Sequence, residues 1–300
     1  MTATTVCPLC NSPATDDVCV KTVDQRAYRL VRCSRCQLVF VADPPTADEL
    51  RAYYDHLWRE ERDPQRRGEA FVDQQLRAQR FQRRLNELAR LTTPGRVLDL
   101  GCKDGLFLAL AQQRGWQPQG LELTVEAAQQ AQQRGLPVAV GAVAELHWPE
   151  ASFDVVTVWH LIEHVTDPLT LLRDIHRLLK PGGLLAIETP NIASRAFRHD
   201  GAAWEYLAPP QHLCYFNDQS LRHALTQAGY QPLQTRYEGG TGMGRQLAEA
   251  GLGGLRLWLR RHYRYLQSLR AIYVALFGWL APTDDVLILY ARTTSRRESS

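Results

Sequence analysis

The residues able to do chemistry in this 300-residue sequence fall into three groups. Cysteine pairs stand near the N-terminus, a glycine loop with nearby carboxylates spans 99–122, and histidines stand at 160, 164 and 212. Cys7/Cys10 and Cys33/Cys36 are two Cys-x-x-Cys pairs separated by roughly 20 residues, the spacing of a zinc-ribbon site. Each pair turns two thiolates toward one point, and two such turns complete a tetrahedron. Disulfides or idle thiols are the alternative from the same residues. A stretch of about 40 residues has too little core to fold alone, so a structural metal supplies the missing stability. Four sulfur ligands leave no open position for a substrate. Asn11 and Gln37 follow the pairs where many such knuckles carry glycine, and Cys19 is a worse-spaced substitute ligand.

His160, Glu163 and His164 follow an apolar run, and a carboxylate beside an imidazole orients it and raises its basicity. Such a group can remove the proton of a hydroxyl or carbon acid. On a helical exit His160 and His164 share a face, with Glu163 one step away. The competing reading has one histidine stacked near a cofactor and the other packed structurally. His212 lies in Pro209-Pro210-Gln211-His212-Leu213-Cys214-Tyr215-Phe216 and is either a general base or a structural residue bonded to backbone. Trp204, Tyr206 and Tyr215 offer walls for a flat acceptor, and Asn191 an amide. His56, His147, His176, His199 and His223 lack such context.

Asp99-Leu100-Gly101-Cys102-Lys103-Asp104-Gly105 places two glycines between a strand and a helix N-terminus. Gly101 permits a tight turn and Gly105 a close helix–strand approach. A helix N-terminus favours a ligand carboxylate, Asp99 suits an ammonium, and Glu122 at the next strand end suits two ribose hydroxyls. A dinucleotide oxidoreductase is the rival enzyme reading, but Lys103 spoils the second glycine of Gly-x-Gly-x-x-Gly. A lysine there calls for ordinary backbone angles, with its ammonium either on the ligand carboxylate or in solvent.

These groups need a scaffold, and the pattern provides one. From Arg96 onward strands at 97–100, 120–123, 137–141, 153–159 and 184–189 alternate with helices at 106–113, 125–134 and 168–179. Such alternation predicts βαβ units on a mostly parallel α/β sheet. Ligands then bind at the carboxyl ends of the strands, near Gly101, Glu122, Val143 and His160. A helix over 68–91 buries Phe71, Leu76, Phe81, Leu85 and Leu88 and leaves Arg80, Arg83, Arg84 and Arg90 on solvated faces. Thr46 and Glu49 form a capping box for a shorter helix at Ala47–Trp58.

The same stretch resembles class I S-adenosylmethionine-dependent methyltransferases, a group that includes the ubiquinone-type O-methyltransferases and zinc-ribbon sugar C-methyltransferases. Val-Leu-Asp-Leu-Gly-Cys-Lys-Asp-Gly (97–105) resembles their first motif and Gly-Leu-Glu (120–122) the acidic ribose motif. Gly141–Leu146 resembles the adenine-side segment, Ser152–Val165 the fourth strand and its exit, and Leu178–Leu185 the turn into the fifth strand. The ordered motifs cover about half the chain. They imply a Rossmann-like seven-stranded, mostly parallel sheet with helices on both faces and an antiparallel closing strand near 285–293, partnered by 232–238. They also imply S-adenosylmethionine held by Asp99, Gly101, Cys102, Lys103, Gly105, Glu122, Leu123, Val143, Ala144, Trp159 and His160. Ala144 stands where an acidic residue is common, leaving Glu145 or backbone amides for the adenine amino group. Methylation of an O or C atom of a sugar or quinone-like ring is the implied chemistry, while a non-catalytic cofactor-binding or zinc-scaffold module is the remaining alternative.

Composition sets the outer limits. An apolar share of 45% with 22% charge predicts a soluble chain with a full core, and a net charge of +3 is too small to imply nucleic acid. No run of roughly 18 apolar residues and no signal-peptide pattern occurs, so a cytoplasmic location is expected. The expected organisation is a zinc ribbon (1–42), a helical linker (43–93), a methyltransferase core (94–240), a helical insertion (241–282), and a closing strand and tail (283–300). Residues 251–282 carry a leucine stripe flanked by arginines. It fits either a packed insertion or homodimer surface, or peripheral contact with the inner membrane surface and a lipid-linked acceptor.

Overall fold

The computed structural model describes residues 5–13, 15–46, 48–50, 53, 67–145, 148–239 and 284–294. The insertion at 241–282, with its membrane, lipid-carrier and homodimer readings, lies outside the described residues. So does most of Ala47–Trp58, whose described positions 48–50 and 53 are helical. No helix among the described residues is long and apolar enough to cross a membrane.

Three N-terminal strands come first: β1 (Thr15–Val23), β2 (Arg26–Cys33) and β3 (Val39–Val41). Helix α1 (Arg67–Leu91) leads into β4 (Arg96–Leu100), α2 (Leu106–Gln112), β5 (Gln117–Glu122), α3 (Val125–Gln133) and β6 (Val138–Val140). Then follow β7 (Phe153–Trp159), α4 (Pro168–Leu178), β8 (Leu179–Pro190), α5 (Arg195–Asp200) and β9 (Cys214–Tyr215). Helix α6 (Asp218–Gln227), β10 (Tyr230–Glu238) and β11 (Val286–Thr293) complete the described chain.

The main sheet has the order β10-β11-β8-β7-β4-β5-β6. Neighbours from β8 to β6 pair in parallel, and β11 runs antiparallel to both β8 and β10. Parallel strands covered on both faces read as continuous apolar runs, and Val155, Val156 and Val158 of β7 and Leu184 to Ile187 of β8 are all buried. On one face α1, α2 and α3 contribute Phe81, Leu85, Leu88, Phe107, Leu108, Ala128 and Ala131. The other face takes Leu172, Ile175 and Leu178 of α4 and Leu221, Ala224 and Leu225 of α6. Both of these helices start on side-chain caps. Asp167 accepts from the Thr170 N–H before Pro168, and Asn217 with Ser220 forms a capping box.

The N-terminal strands form a second sheet of order β1-β2-β3-β9. Its fourth strand comes from the main domain, with Val39 opposite Tyr215 and Phe40 opposite Cys214. Cys7, Leu9, Cys33, Cys36 and Phe40 belong to the same apolar cluster as Leu98, Leu172 and Phe216. The ribbon is thus packed into the core of the domain that follows it.

Two expectations about helices are corrected. Arg84, placed by pattern on a solvated face of α1, is fully buried because Glu188 and Glu238 draw it inward with ion pairs of 2.7 and 2.9 Å. The exit from β7 is a single 3-10 turn, Ile162–His164, preceded by His160 at φ 51°, so His160 and His164 do not share a helix face.

Gly120 shows how tightly the central strands are joined to the loop beside them. A Cβ there would lie 2.7 Å from Cys102 Sγ, 2.7 Å from Leu108 Cδ1 and 2.9 Å from Val138 Cγ2. Gly120→Ala is expected to destabilise the protein by about 1–3 kcal/mol through overpacking, read from the denaturant midpoint at unchanged slope.

Candidate active site at the carboxyl ends of the central strands

The chain leaves β4 toward β5 on one side and reaches β7 on the other, so a crevice opens at the carboxyl end of β4. The Gly101 and Cys102 N–H groups donate to Leu121 O at 2.8 and 3.1 Å, tying the glycine loop to β5. Gly101 and Gly105 take φ values of 72° and 77°, as the tight turn requires. Lys103 departs from expectation. Its φ is 49°, a left-handed conformation that costs a lysine about 1–2 kcal/mol, and its side chain is exposed. The compensation is local: its N–H donates to Glu122 Oε2 at 2.9 Å.

Glu122 Oε1 accepts from the Thr124 N–H at 2.9 Å, so both oxygens are fixed by backbone amides. Each keeps acceptor capacity for a hydroxyl. Asp99 is buried and accepts from Thr157 Oγ1 at 2.7 Å. Burial, reinforced by the charge of Glu122, pushes its pKa up to about 8 despite that hydrogen bond. Such a carboxyl is ready to ionise when a cation arrives. Leu123 is 64% exposed, Trp159 and Val143 are buried, and Val143 and Ala144 share a 3-10 turn. Glu145, in the same turn, accepts from the Ala142 N–H at 3.0 Å. Cys102 is buried against Gly120, and burial raises its thiol pKa. This set fits S-adenosylmethionine: a glycine cradle without room for side chains, a carboxyl awaiting an ammonium, and a fixed carboxylate at the strand end.

The exit of β7 lies beside this loop: a Cβ on Gly101 would sit 3.3 Å from Cδ1 of Leu161, the residue after His160. His160 bonds Glu163 Oε1 through Nδ1 at 3.1 Å and Glu188 Oε1 through Nε2 at 3.0 Å. Burial opposes its charge, but the two carboxylates prevail and raise its pKa to about 9. His164 and His212 are arranged differently. Their rings meet edge to face at 4.8 Å, and Nδ1 of each lies against a backbone carbonyl, Gln211 O at 2.9 Å and Tyr206 O at 2.7 Å. These bonds fix the Nδ1–H tautomer and leave Nε2 the basic nitrogen. Burial lowers both, His164 to about 4, against the pull of Glu163. Thus His164, His212, Glu163 and His160 come together, with His160 in a separate role. Of the aromatic walls, Tyr206 stacks parallel to His160 at 6.2 Å, whereas Trp204 and Tyr215 are fully buried in the core under the second sheet. Asn191 is occupied structurally, its amide donating to Asp284 O at 2.8 Å.

The four ribbon cysteines converge, with Sγ atoms all within 4.8 Å of one another and the Cys7–Cys36 and Cys10–Cys33 pairs at 3.5 Å. Tetrahedral Zn–S bonds of about 2.3 Å place sulfurs roughly 3.8 Å apart, so the donor set fits zinc. Asn11 and Gln37 adopt φ of 54° and 64°, and their N–H groups donate to Cys7 O and Cys33 O, closing the two knuckles without glycine. The hydrogen bond with Cys36 holds the Cys7 thiol below its ordinary value.

A methyltransferase domain family model matches residues 72–235, more than half the chain. The chain belongs to the methyltransferase domain family. The chain is 36% identical over 128 residues to the ubiquinone biosynthesis O-methyltransferase of Xanthomonas campestris pv. campestris (strain B100), covering 40% of this chain and 54% of that protein. A protein of the same description from Paracidovorax citrulli (strain AAC00-1) is 36% identical over 112 residues, 34% of this chain and 46% of that one. The chain spans about half the length of these curated relatives. Among solved structures, a SAM-dependent methyltransferase from Archaeoglobus fulgidus superposes with TM-score 0.52 at 17% identity over 73% of this chain and 94% of that one. The Haloferax volcanii complex of the Trm112 methyltransferase activator and a methyltransferase gives 0.51 at 19% identity over the same shares. The fold is that of the class I S-adenosylmethionine-dependent methyltransferases.

Sequence reasoning missed Thr157, Glu188 and Arg84. Thr157 and Glu188 lie within strands buried on both faces, where a continuous apolar run gives no sign of a polar partner, and Arg84 reads as surface charge. Asp99 supplies a test of the cofactor site. An ammonium seated beside Asp99 would lower its pKa from about 8, so binding of S-adenosylmethionine near pH 7 is expected to release a proton. Calorimetry in buffers of different ionisation enthalpy should show this release, and Asp99→Asn should abolish it.

Proposed function

We propose that this methyltransferase transfers the methyl group of S-adenosylmethionine to an oxygen of a small ring-shaped acceptor, with His212 as the base. The supporting observation is that Leu161, between His160 and His164, packs against Gly101 of the glycine loop, while His212 meets the His164 ring edge to face at 4.8 Å. A sulfonium methyl is already activated, so the protein's work is alignment and proton removal. Asp99 and Glu122 would hold the ammonium and the ribose, and the loop 101–105 the carboxylate. His212, its Nδ1–H fixed on Tyr206 O, presents Nε2 as the nitrogen to take the acceptor's proton. Tyr206 offers a flat face to a ring.

The names of the Xanthomonas and Paracidovorax relatives favour O-methylation of a quinone-like ring. The zinc-ribbon resemblance favours a sugar and attack by carbon, and the acceptor screen separates the two. In the ribbon, zinc is proposed as a structural ion held by Cys7, Cys10, Cys33 and Cys36. A lipid-linked acceptor rests on 251–282 alone.

Turnover is read as S-adenosylhomocysteine release across phenolic, quinol and sugar acceptors. His212→Ala is expected to lower kcat about 10²–10⁴-fold with cofactor affinity preserved. Full turnover in that variant would remove the base assignment, and heat with NAD(P) but none with S-adenosylmethionine would overturn the reaction class. Purified protein should carry one zinc per chain, and Cys33→Ser should lose it. An equal metal content in the two proteins would refute the ribbon site.

A further inference from the structure

We propose that His160, Glu188 and Arg84 form one strut, anchored on the buried Arg84 and Glu188, whose imidazolium, His160, is a positioning residue that fixes Glu163 beside the His164–His212 pair. The inference rests on the histidine-base reading above and reassigns His160 from candidate base to support.

The geometry sets the protonation. Both ring nitrogens of His160 lie 3.0–3.1 Å from carboxylate oxygens, and an ionised carboxylate only accepts, so both nitrogens must donate. Each carboxylate has further donors that keep it ionised. Glu188 Oε2 takes Arg84 Nε at 2.7 Å, and Arg80 Nη1 stands 3.5 Å from Oε1. Glu163 Oε2 takes Thr189 Oγ1 at 2.9 Å. Signs alternate along the line Arg84, Glu188, His160, Glu163. Outside it, Glu238 and Glu87 face Arg84 at 2.9 and 3.4 Å. The Tyr206 ring lies parallel to His160, and His164 and His212 come within 4.8 Å of Glu163.

The strut ends where the proposed chemistry begins. Side-chain atoms of Glu163, His164 and His212 come within 4.8 Å of one another. The Glu163 carbonyl also accepts the Leu213 N–H at 2.8 Å, fixing the residue after His212. A carboxylate held there stabilises the positive charge that the pair gains when it takes a proton. His160 itself has no nitrogen left for substrate. Its pKa of about 9 agrees: it stays charged below that pH and loses the charge above it.

The test uses the full chain labelled with ¹⁵N-histidine, reading ring nitrogens by NMR across pH 6–10, alongside kcat and KM. The wild-type spectrum should contain one histidine in the imidazolium pattern up to pH 8, assigned by its absence in His160→Gln. Glu188→Gln should lower that histidine's titration midpoint by at least one pH unit, a tenfold change in acid constant. It should also lower kcat about 10²-fold with KM little changed, the signature of misplacement rather than lost binding. Arg84→Lys should retain more of kcat than Arg84→Met. A wild-type His160 that titrates near 6.5 overturns the proposal, as does a Glu188→Gln protein that folds and keeps full kcat. Should Glu188→Gln fail to fold, the wild-type titration and the Arg84 pair decide. An imidazolium at 160 with full turnover in His212→Ala would remove the base reading and leave the strut's geometry standing.

Discussion

Two carboxylates, Glu163 and Glu188, lie fully buried beside the central strands, and each would cost several kcal/mol there without a partner. Much of the architecture around the crevice answers that cost. Arg84 comes inward from a helix that looks solvated, His160 takes a left-handed backbone angle to reach both acids, and Thr189 caps the remaining oxygen. Removing one partner would strand a charge, so these residues are fixed as a group. That rigidity suits a site whose task is alignment.

The ribbon meets the same region from the other side. Its sheet takes β9 as an edge strand, Val41 N–H donates to Leu213 O, and its cysteines pack in the core with Leu98 and Phe216. His212 immediately precedes this shared strand. The four-cysteine cluster is thus tied through β3 and the Val41–Leu213 hydrogen bond to the loop that carries His212. The N-terminal segment is packed as part of the following domain rather than as an independent module.

Much of this was legible in the sequence. Strands and helices of the central sheet followed from apolar runs and turn residues, and the antiparallel closing strand from the resemblance. Asp99, Gly101 and Glu122 were legible because strand ends followed by glycine have few uses. What escaped depended on distance along the chain. Arg84 and Glu188 are 104 residues apart, and nothing near Arg84 distinguishes it from Arg83 or Arg90. A helical exit at 160–164 did not form: His160 takes a left-handed backbone angle and bonds Glu188 on the next strand as well as Glu163 in the 3-10 turn that follows. Lys103 took positive φ because its N–H had a carboxylate to satisfy, a reason invisible in the loop's own sequence. Trp204 and Tyr215 looked like pocket walls, yet the second sheet claimed them as core.

The account stands on the crevice beside β4 being the place where the methyl donor meets the histidines. A structure determined with S-adenosylhomocysteine bound tests that claim most directly. The account predicts ribose hydroxyls on Glu122, the ammonium on Asp99, and the sulfur facing the side of His164 and His212. A ligand seated with its sulfur turned away from that pair, or bound outside the β4–β5 crevice, would contradict it.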